Sequence, residues 1–241
     1  MKPKTVVIGL GLFGREIATV LARRGHTVLA IDTDPETVEA IKDFVDQAVV
    51  LDTTDEAALR EMKIDTMETA VCAIGAGHIQ DSILTTALLH QLEVPRIIAR
   101  AADPLHARIL KQVGATEVLN PEREMGDRIA NQIATPGIRE VLRLGNDVYV
   151  AEIPVPPSFV GNTPASLNIR QRYGVTIIGL QRGRGEARSV LGISSFDPAG
   201  SPPGHRRQLI LNLEPTVVFH DDDSLIVIGT EEDVKRLGGL A

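Results

Sequence analysis

Thr5-Val6-Val7-Ile8-Gly9-Leu10-Gly11-Leu12-Phe13-Gly14 joins an apolar run to a glycine-rich turn near the N-terminus. The apolar residues through Ile8 read as a short strand that runs straight into a G-x-G-x-x-G turn. In such a turn Gly9 permits the tight bend and Gly11 removes the side chain that would block a phosphate. Gly14 lets the next helix pack close to the strand. The N–H groups at that helix start, around Leu12 and Phe13, are ready to receive negative charge. Phe13 to Arg24 keeps helical spacing, with Ile17, Val20 and Leu21 on one face, and Gly25 stops it. A second strand, Thr27 to Ile31, ends at Asp32 with Thr33 beside it. A carboxylate about 20 residues beyond the glycines accepts hydrogen bonds from ribose hydroxyls, and it disfavours a 2′-phosphate. The competing reading is a structural turn followed by an N-cap aspartate.

The same alternation repeats along the following residues. Pro35 opens a second helix with Val38, Ile41 and Phe44 on its apolar face. Strands are expected at 47–51, 69–74, 96–99 and 117–119, and helices at 55–62, 80–92, 103–113 and 122–134. Short apolar strands alternating with longer helices predict an α/β fold, a Rossmann-like, doubly wound parallel sheet covered on both faces. Ligands of such sheets lie beyond the carboxyl ends of the strands, where strand order reverses. Asp52 and Thr53 follow the third strand, Ala73-Ile74-Gly75 finishes the fourth, Arg100 follows the fifth and Glu122 the sixth. Arg100 is placed either to pair with a phosphate or to end a strand in solvent. Glu122 is placed either beside a phosphate through a bridging cation or as an acidic group at its own helix start. His78, just past the fourth-strand glycines, reads equally as a ligand contact or a surface histidine.

Beyond Thr135-Pro136-Gly137 the pattern changes. Ile138 to Leu144 reads as a further short helical segment. Strands follow at 148–153, 175–180, 208–213 and 224–228, a short one at Val190-Leu191, and helices at 163–172 and 230–237. Residues 194–205 are rich in Ser, Pro and Gly and read as a loop. The organisation expected is a nucleotide-binding domain at 1–135, a connecting segment at 136–147 and a small α+β ligand-binding or dimerisation domain at 148–241.

Composition narrows the function. The net charge of −7 argues against bulk attraction to nucleic acid or anionic lipid, although Arg182 to Arg188 and His205-Arg206-Arg207 are locally basic. Aromatic residues make up 3 % with no tryptophan, which disfavours stacking platforms for single strands. The single cysteine, Cys72, rules out an intrachain disulfide framework and reads as buried filler. No window approaches the roughly 20 apolar residues of a membrane span, and no signal peptide is read, so a cytoplasmic protein is expected. Asp221-Asp222-Asp223 lacks the ligand spacing of a calcium loop and reads as a solvated turn. The six histidines are scattered, without metal-site spacing. No catalytic constellation accompanies the glycine turn. An NAD-dependent dehydrogenase would need an acid or base, for which His78 and His106 are the candidates in the first domain. A scaffold with a vestigial crevice is the third reading.

The ordered motifs resemble the cytosolic regulatory subunits of bacterial potassium uptake systems, in the regulator of potassium conductance family. The resemblance rests on residues 7–14, on Ala73-Ile74-Gly75 followed by Gln80, Ser82 and Leu84, and on Gly114-Ala115-Thr116. It continues in Asn120-Pro121-Glu122 with Met125-Gly126, in Arg170 to Val175, and in Asp223, Leu225, Val227 and Gly229. It implies an N-terminal domain binding ATP or ADP, or alternatively NAD or NADH. It also implies homodimers, often assembled as octameric rings, beneath a separate potassium-conducting membrane subunit at the inner face of the membrane. By the same resemblance Arg100 contacts phosphate, and Glu122 approaches the terminal phosphates through a cation such as Mg2+. A cyclic di-AMP site in the second domain would centre on Arg170, Tyr173, Gly174, Val175 and Ile177. Leu12 departs from the arginine of many ATP-binding relatives, which removes one phosphate contact. The long loop after Gly192 is a second departure.

Overall fold

The computed structural model describes residues 2–134, 137–138, 140–145, 147–182 and 208–241. The break expected at Thr135-Pro136, the basic stretch beyond Arg182, the Val190-Leu191 strand, the 194–205 loop and His205-Arg206-Arg207 lie outside the described residues. The chain divides into two compact units, Met1–Met125 and Gly126–Ala241.

In the first unit the strands are β1 (Lys4–Ile8), β2 (Thr27–Asp32), β3 (Gln47–Val50), β4 (Thr69–Cys72), β5 (Arg96–Arg100) and β6 (Glu117–Leu119). They form a parallel sheet in the order β3-β2-β1-β4-β5-β6 among the described residues. The chain winds outward from β1 to β3 and then returns beside β1 as β4. The reversal point lies between β1 and β4, as expected for a doubly wound sheet.

Strand periodicity sends alternate residues to opposite faces. Ile8, Ile31, Cys72 and Ala99 pack with Leu59, Leu89 and Leu110 of helices α3 (Glu56–Glu61), α4 (Ile79–Gln91) and α5 (Pro104–Gln112). Val7, Ala30, Val71 and Ala73 pack with Ala18, Val38 and Ile41 of α1 (Leu12–Arg23) and α2 (Pro35–Ile41). Cys72 is fully buried, and burial pushes its thiol up. That is the filler role its neighbours imply. Helix α6 (Pro121–Ala134) follows β6.

The second unit holds β7 (Glu140–Arg143), β8 (Tyr149–Pro154), β9 (Thr176–Arg182), β10 (Gln208–Leu211) and β11 (Ser224–Gly229). They form an antiparallel sheet ordered β10-β9-β11-β8-β7 among the described residues. Ile153, Leu180, Leu225 and Val227 pack with Val234 and Leu237 of α9 (Glu231–Gly238).

Three expectations are corrected here. The segment 138–144 is not helical. Its residues Glu140–Arg143 pair with β8 as a hairpin strand, closed by Leu144 N–H to Val148 C=O and a turn at Gly145 (φ +79°). The helix expected at 163–172 is two pieces, α7 (Pro164–Leu167) and α8 (Ile169–Tyr173), because Asn168 adopts the left-handed conformation at φ +46°. The three aspartates are not simply a solvated turn. Asp223 is 1 % exposed, and Arg182 holds it through Nε to Oδ1 at 3.0 Å and Nη2 to Oδ2 at 2.8 Å. His220 N–H also donates to Asp223, and a ring nitrogen of His220 and carboxylate oxygens of Asp222 and Asp223 lie within 4.8 Å of one another, a cluster that the scattered histidine positions do not reveal. The Asp223 carboxylate in it is committed to Arg182.

No helix among the described residues is long and apolar enough to cross a membrane.

Candidate functional site

The glycine turn is built as its spacing requires. Gly9 takes φ +86°, a conformation that side chains disfavour, and its N–H donates to Ile31 C=O. A Cβ on Gly14 would stand 1.8 Å from Gly9 C=O and 3.0 Å from Ala73 Cβ, so only glycine lets α1 approach β1 and β4 this closely. A Cβ on Gly11 would meet nothing within 4 Å. The space it would fill is open crevice, the room a phosphate needs.

Asp32 closes β2 across from this turn. Its Oδ2 accepts Leu10 N–H at 2.6 Å and its Oδ1 accepts Asp34 N–H at 3.0 Å. The carboxylate thus holds the loop in place while also lining the crevice. Around it the crevice gathers Ile8, Gly9, Gly11 and Thr33, then Leu51, Asp52, Thr53 and Thr54 after β3. Ala73, Ile74, Gly75, His78 and Asp81 follow β4, and Arg100 ends β5. Gly9, Gly11, Asp32, Thr33, Asp52, Thr53, Ala73, Ile74, Gly75 and Arg100 were all expected there. Leu12, Phe13, Gly14 and Glu122 do not line it. Leu12 is 82 % exposed at the first position of α1, Phe13 packs on the core, and Gly14 is buried. Glu122, in the first turn of α6, forms an ion pair with Arg100, whose guanidinium also stands over the Phe13 ring at 5.8 Å.

Spacing alone did not select Ile8, Leu51, Thr54 or Asp81, and it left His78 open. Thr54 N–H and hydroxyl both donate to Asp52 Oδ1, and this pair of bonds, the hydroxyl's first, keeps the Asp52 carboxyl below the usual range. An Asp-x-Thr after a strand is a legible sign of such a turn. His78 Nδ1 and Asp81 Oδ2 are 3.1 Å apart at the start of α4. His106, the other histidine weighed as an acid or base, is buried in α5 and does not line the crevice.

Helix capping separates the crevice from the rest of the unit. α2, α3 and α5 begin with Asp34, Asp55 and Asp103, each accepting N–H groups of the first turn. α1 and α4 begin at the crevice, and neither has a side-chain cap. α4 continues from a 3-10 turn at Ala76–His78, whose His78 N–H donates to Gly75 C=O, whereas the first N–H groups of α1 are left for water or a ligand, with the helix dipole favouring an anion. Asp32, Asp52 and Asp81 line the same crevice, and Arg100 is the one guanidinium or ammonium group among the described lining residues. Backbone donors, a ribose acceptor and a single arginine fit a nucleotide with few phosphates. A third phosphate would need a cation.

In the second unit, Arg170, Tyr173, Gly174, Val175 and Ile177 run from the first turn of α8 to the start of β9, but they do not present one face. Val175 is fully buried, and Ile177 and Tyr173 pack on the core, with the Tyr173 ring 5.5 Å from that of Phe159. Arg170 is exposed, and Gly174 turns the chain at φ +73°.

The chain is similar to known proteins in sequence and in fold. The TrkA-N domain model matches residues 5–121. The Ktr system potassium uptake protein C of Bacillus subtilis (strain 168) is 33 % identical over 236 residues, covering 98 % of this chain and 96 % of the relative. The Ktr system potassium uptake protein A of the same organism is 30 % identical over 230 residues, covering 95 % and 93 %. The solved structure of the GsuK channel bound to NAD has a TM-score of 0.61 at 20 % identity. It covers all of this chain, which spans 39 % of that channel's length, and the likeness is one of fold.

Proposed function

The chain belongs to the family of Ktr system potassium uptake proteins, and from that premise we propose that it is a nucleotide-sensing regulatory subunit that gates a separate potassium-conducting membrane partner. The observation that carries the proposal is the uncapped start of α1 above Gly11, with Asp32 across the crevice. That arrangement accepts phosphate on backbone N–H groups and a ribose on a carboxylate. The nucleotide-binding part is assigned to 1–135 and the ligand-binding or dimerisation part to 148–241. Residues 136–147 join them in sequence and supply β7. No residue is assigned to catalysis.

The ligand is ADP or ATP, with NAD or NADH as the alternative. The GsuK channel bound to NAD shares the fold at 20 % identity. Leu12 offers no charge to a phosphate, and Arg100 is shared with Glu122. A phosphate on Arg100 would compete with Glu122. Freed from that pair, Glu122 would be available to a bridging Mg2+ beside a triphosphate. A ligand switches a protein only by binding its two states unequally. The exchange of Glu122 for phosphate on Arg100 supplies such a difference at the first turn of α6. We place the protein as a homodimer, assembled as an octameric ring, on the cytoplasmic face of the membrane through its partner. The α8–β9 segment with Arg170 is kept as the candidate cyclic di-AMP contact.

Calorimetric titration of ATP, ADP, AMP, NAD, NADH and cyclic di-AMP, with and without Mg2+, tests the assignment. Binding of an adenine nucleotide weakened at least about tenfold by Asp32→Ala is expected. Absence of binding by every nucleotide would reject it. Cyclic di-AMP binding that survives Asp32→Ala would place that ligand elsewhere than the crevice.

A further inference from the structure

Helix α4 carries hydroxyls where a helix on a parallel sheet ordinarily carries aliphatic groups. Ser82, Thr85 and Thr86 are all fully buried. Thr86 is satisfied within the helix, donating to Ser82 C=O at 2.7 Å, and Ser82 lies against the Cys72 thiol. Thr85 is different. Its hydroxyl is 2.7 Å from the Thr53 hydroxyl, in the turn after β3. Thr53 is 5 % exposed and lines the crevice.

The direction of this bond follows from counting protons. A hydroxyl carries one donor and two acceptor sites. Thr53 is the hydrogen-bond partner of the Thr85 side chain among the described residues. If Thr53 were the donor, the Thr85 proton would be buried with no acceptor, which native structures avoid. Thr85 therefore donates and Thr53 accepts, which leaves the Thr53 proton for the crevice. The rest of that turn is already fixed by the two Thr54 bonds to Asp52. The Thr53 hydroxyl is the freedom that remains, and Thr85 removes it.

We infer that Thr85 is a positioning residue for the nucleotide, holding Thr53 as a hydrogen-bond donor toward an acceptor atom of the bound ligand from a place that the ligand does not touch. The inference rests on the nucleotide reading of the crevice. It also ties two turns of α4 to the site, since its first turn supplies Asp81 and its middle steadies Thr53.

The test is calorimetric titration of ADP and of NAD into the full chain and into Thr85→Val, Thr85→Ser, Thr53→Val and the Thr53→Val/Thr85→Val double variant, with thermal melting of each. For the nucleotide bound more tightly by the unaltered chain, Thr85→Val is expected to weaken binding about five- to tenfold. Thr85→Ser, which restores the hydroxyl, should stay within about twofold. The double variant should bind no more weakly than Thr53→Val alone, because Thr85 acts through Thr53. Unchanged affinity in Thr85→Val, whatever its melting point, would overturn the inference by reducing the bond to a structural tie. Losses that multiply in the double variant would also overturn it. If Thr85→Val does not fold, Thr53→Val decides, and undiminished binding there overturns the inference. Failure of the unaltered chain to bind either nucleotide would reject the crevice reading itself, and this inference with it.

Discussion

Asp223 carries a charge that its neighbours in sequence do not explain. Three consecutive aspartates read as a water-exposed turn, yet the third is buried against Arg182, 41 residues earlier in the chain. Asp223 in turn holds the Arg182 guanidinium firmly charged. Removing one member of a buried pair strands the other. Because Arg182 retains some access to water, the expected loss for Asp223→Ala is about 2–3 kcal/mol, below the full cost for a wholly buried pair. It would be read as a lower urea midpoint for the second unit, while Asp221→Ala stays near the unaltered value. His106 supplies a prediction in pH. Burial lowers its pKa below the ordinary histidine value of 6.5, against the opposing charge of Asp103, and its Nδ1 accepts Ala102 N–H. The unfolded chain therefore binds the proton more readily. Stability is fully present above about pH 6.5 and is lost as pH falls toward the lowered folded value. Melting curves between pH 7.5 and pH 5 should show this decline, and His106→Gln should flatten it.

The turn from β1 to α1 was legible because its glycines serve three separate geometric demands, and two substitutions separate them. Gly14→Ala drives a methyl into Gly9 C=O and should destabilise the first unit by about 1–3 kcal/mol. Gly11→Ala meets no protein atom, so stability should stay within about 0.5 kcal/mol while nucleotide affinity falls at least about tenfold. Equal melting points with equal affinities for both variants would show that the loop does not hold a ligand. Two elements were not legible. β7 has no periodicity of its own, and its pairing with β8 makes it a strand. The break between α7 and α8 is held by Asn168 at φ +46°. Asn168→Gly should be tolerated, whereas Asn168→Val should cost about 1–2 kcal/mol, measured by chemical denaturation.

For the whole molecule, the switch proposed from the Arg100–Glu122 pair requires that nucleotide change the assembly. Small-angle scattering of the protein without ligand and saturated with ADP or with ATP and Mg2+ should give distinguishable profiles. Glu122→Gln, which weakens the pair, should narrow the difference. Identical profiles in every state would remove the gating mechanism while leaving nucleotide binding intact. The doubly wound sheet, the place of its crevice and most of the lining are legible in the residues alone, because strand period, helix period and glycine spacing are local properties written within a few tens of residues. Tertiary structure alone decided the pairings that cross the chain. It brought Glu122 onto Arg100, Arg182 onto Asp223, Thr85 onto Thr53 and the Glu140–Arg143 segment onto β8. Each depends on two groups distant in sequence finding a common low-dielectric or hydrogen-bonding place, and no local pattern encodes such a meeting.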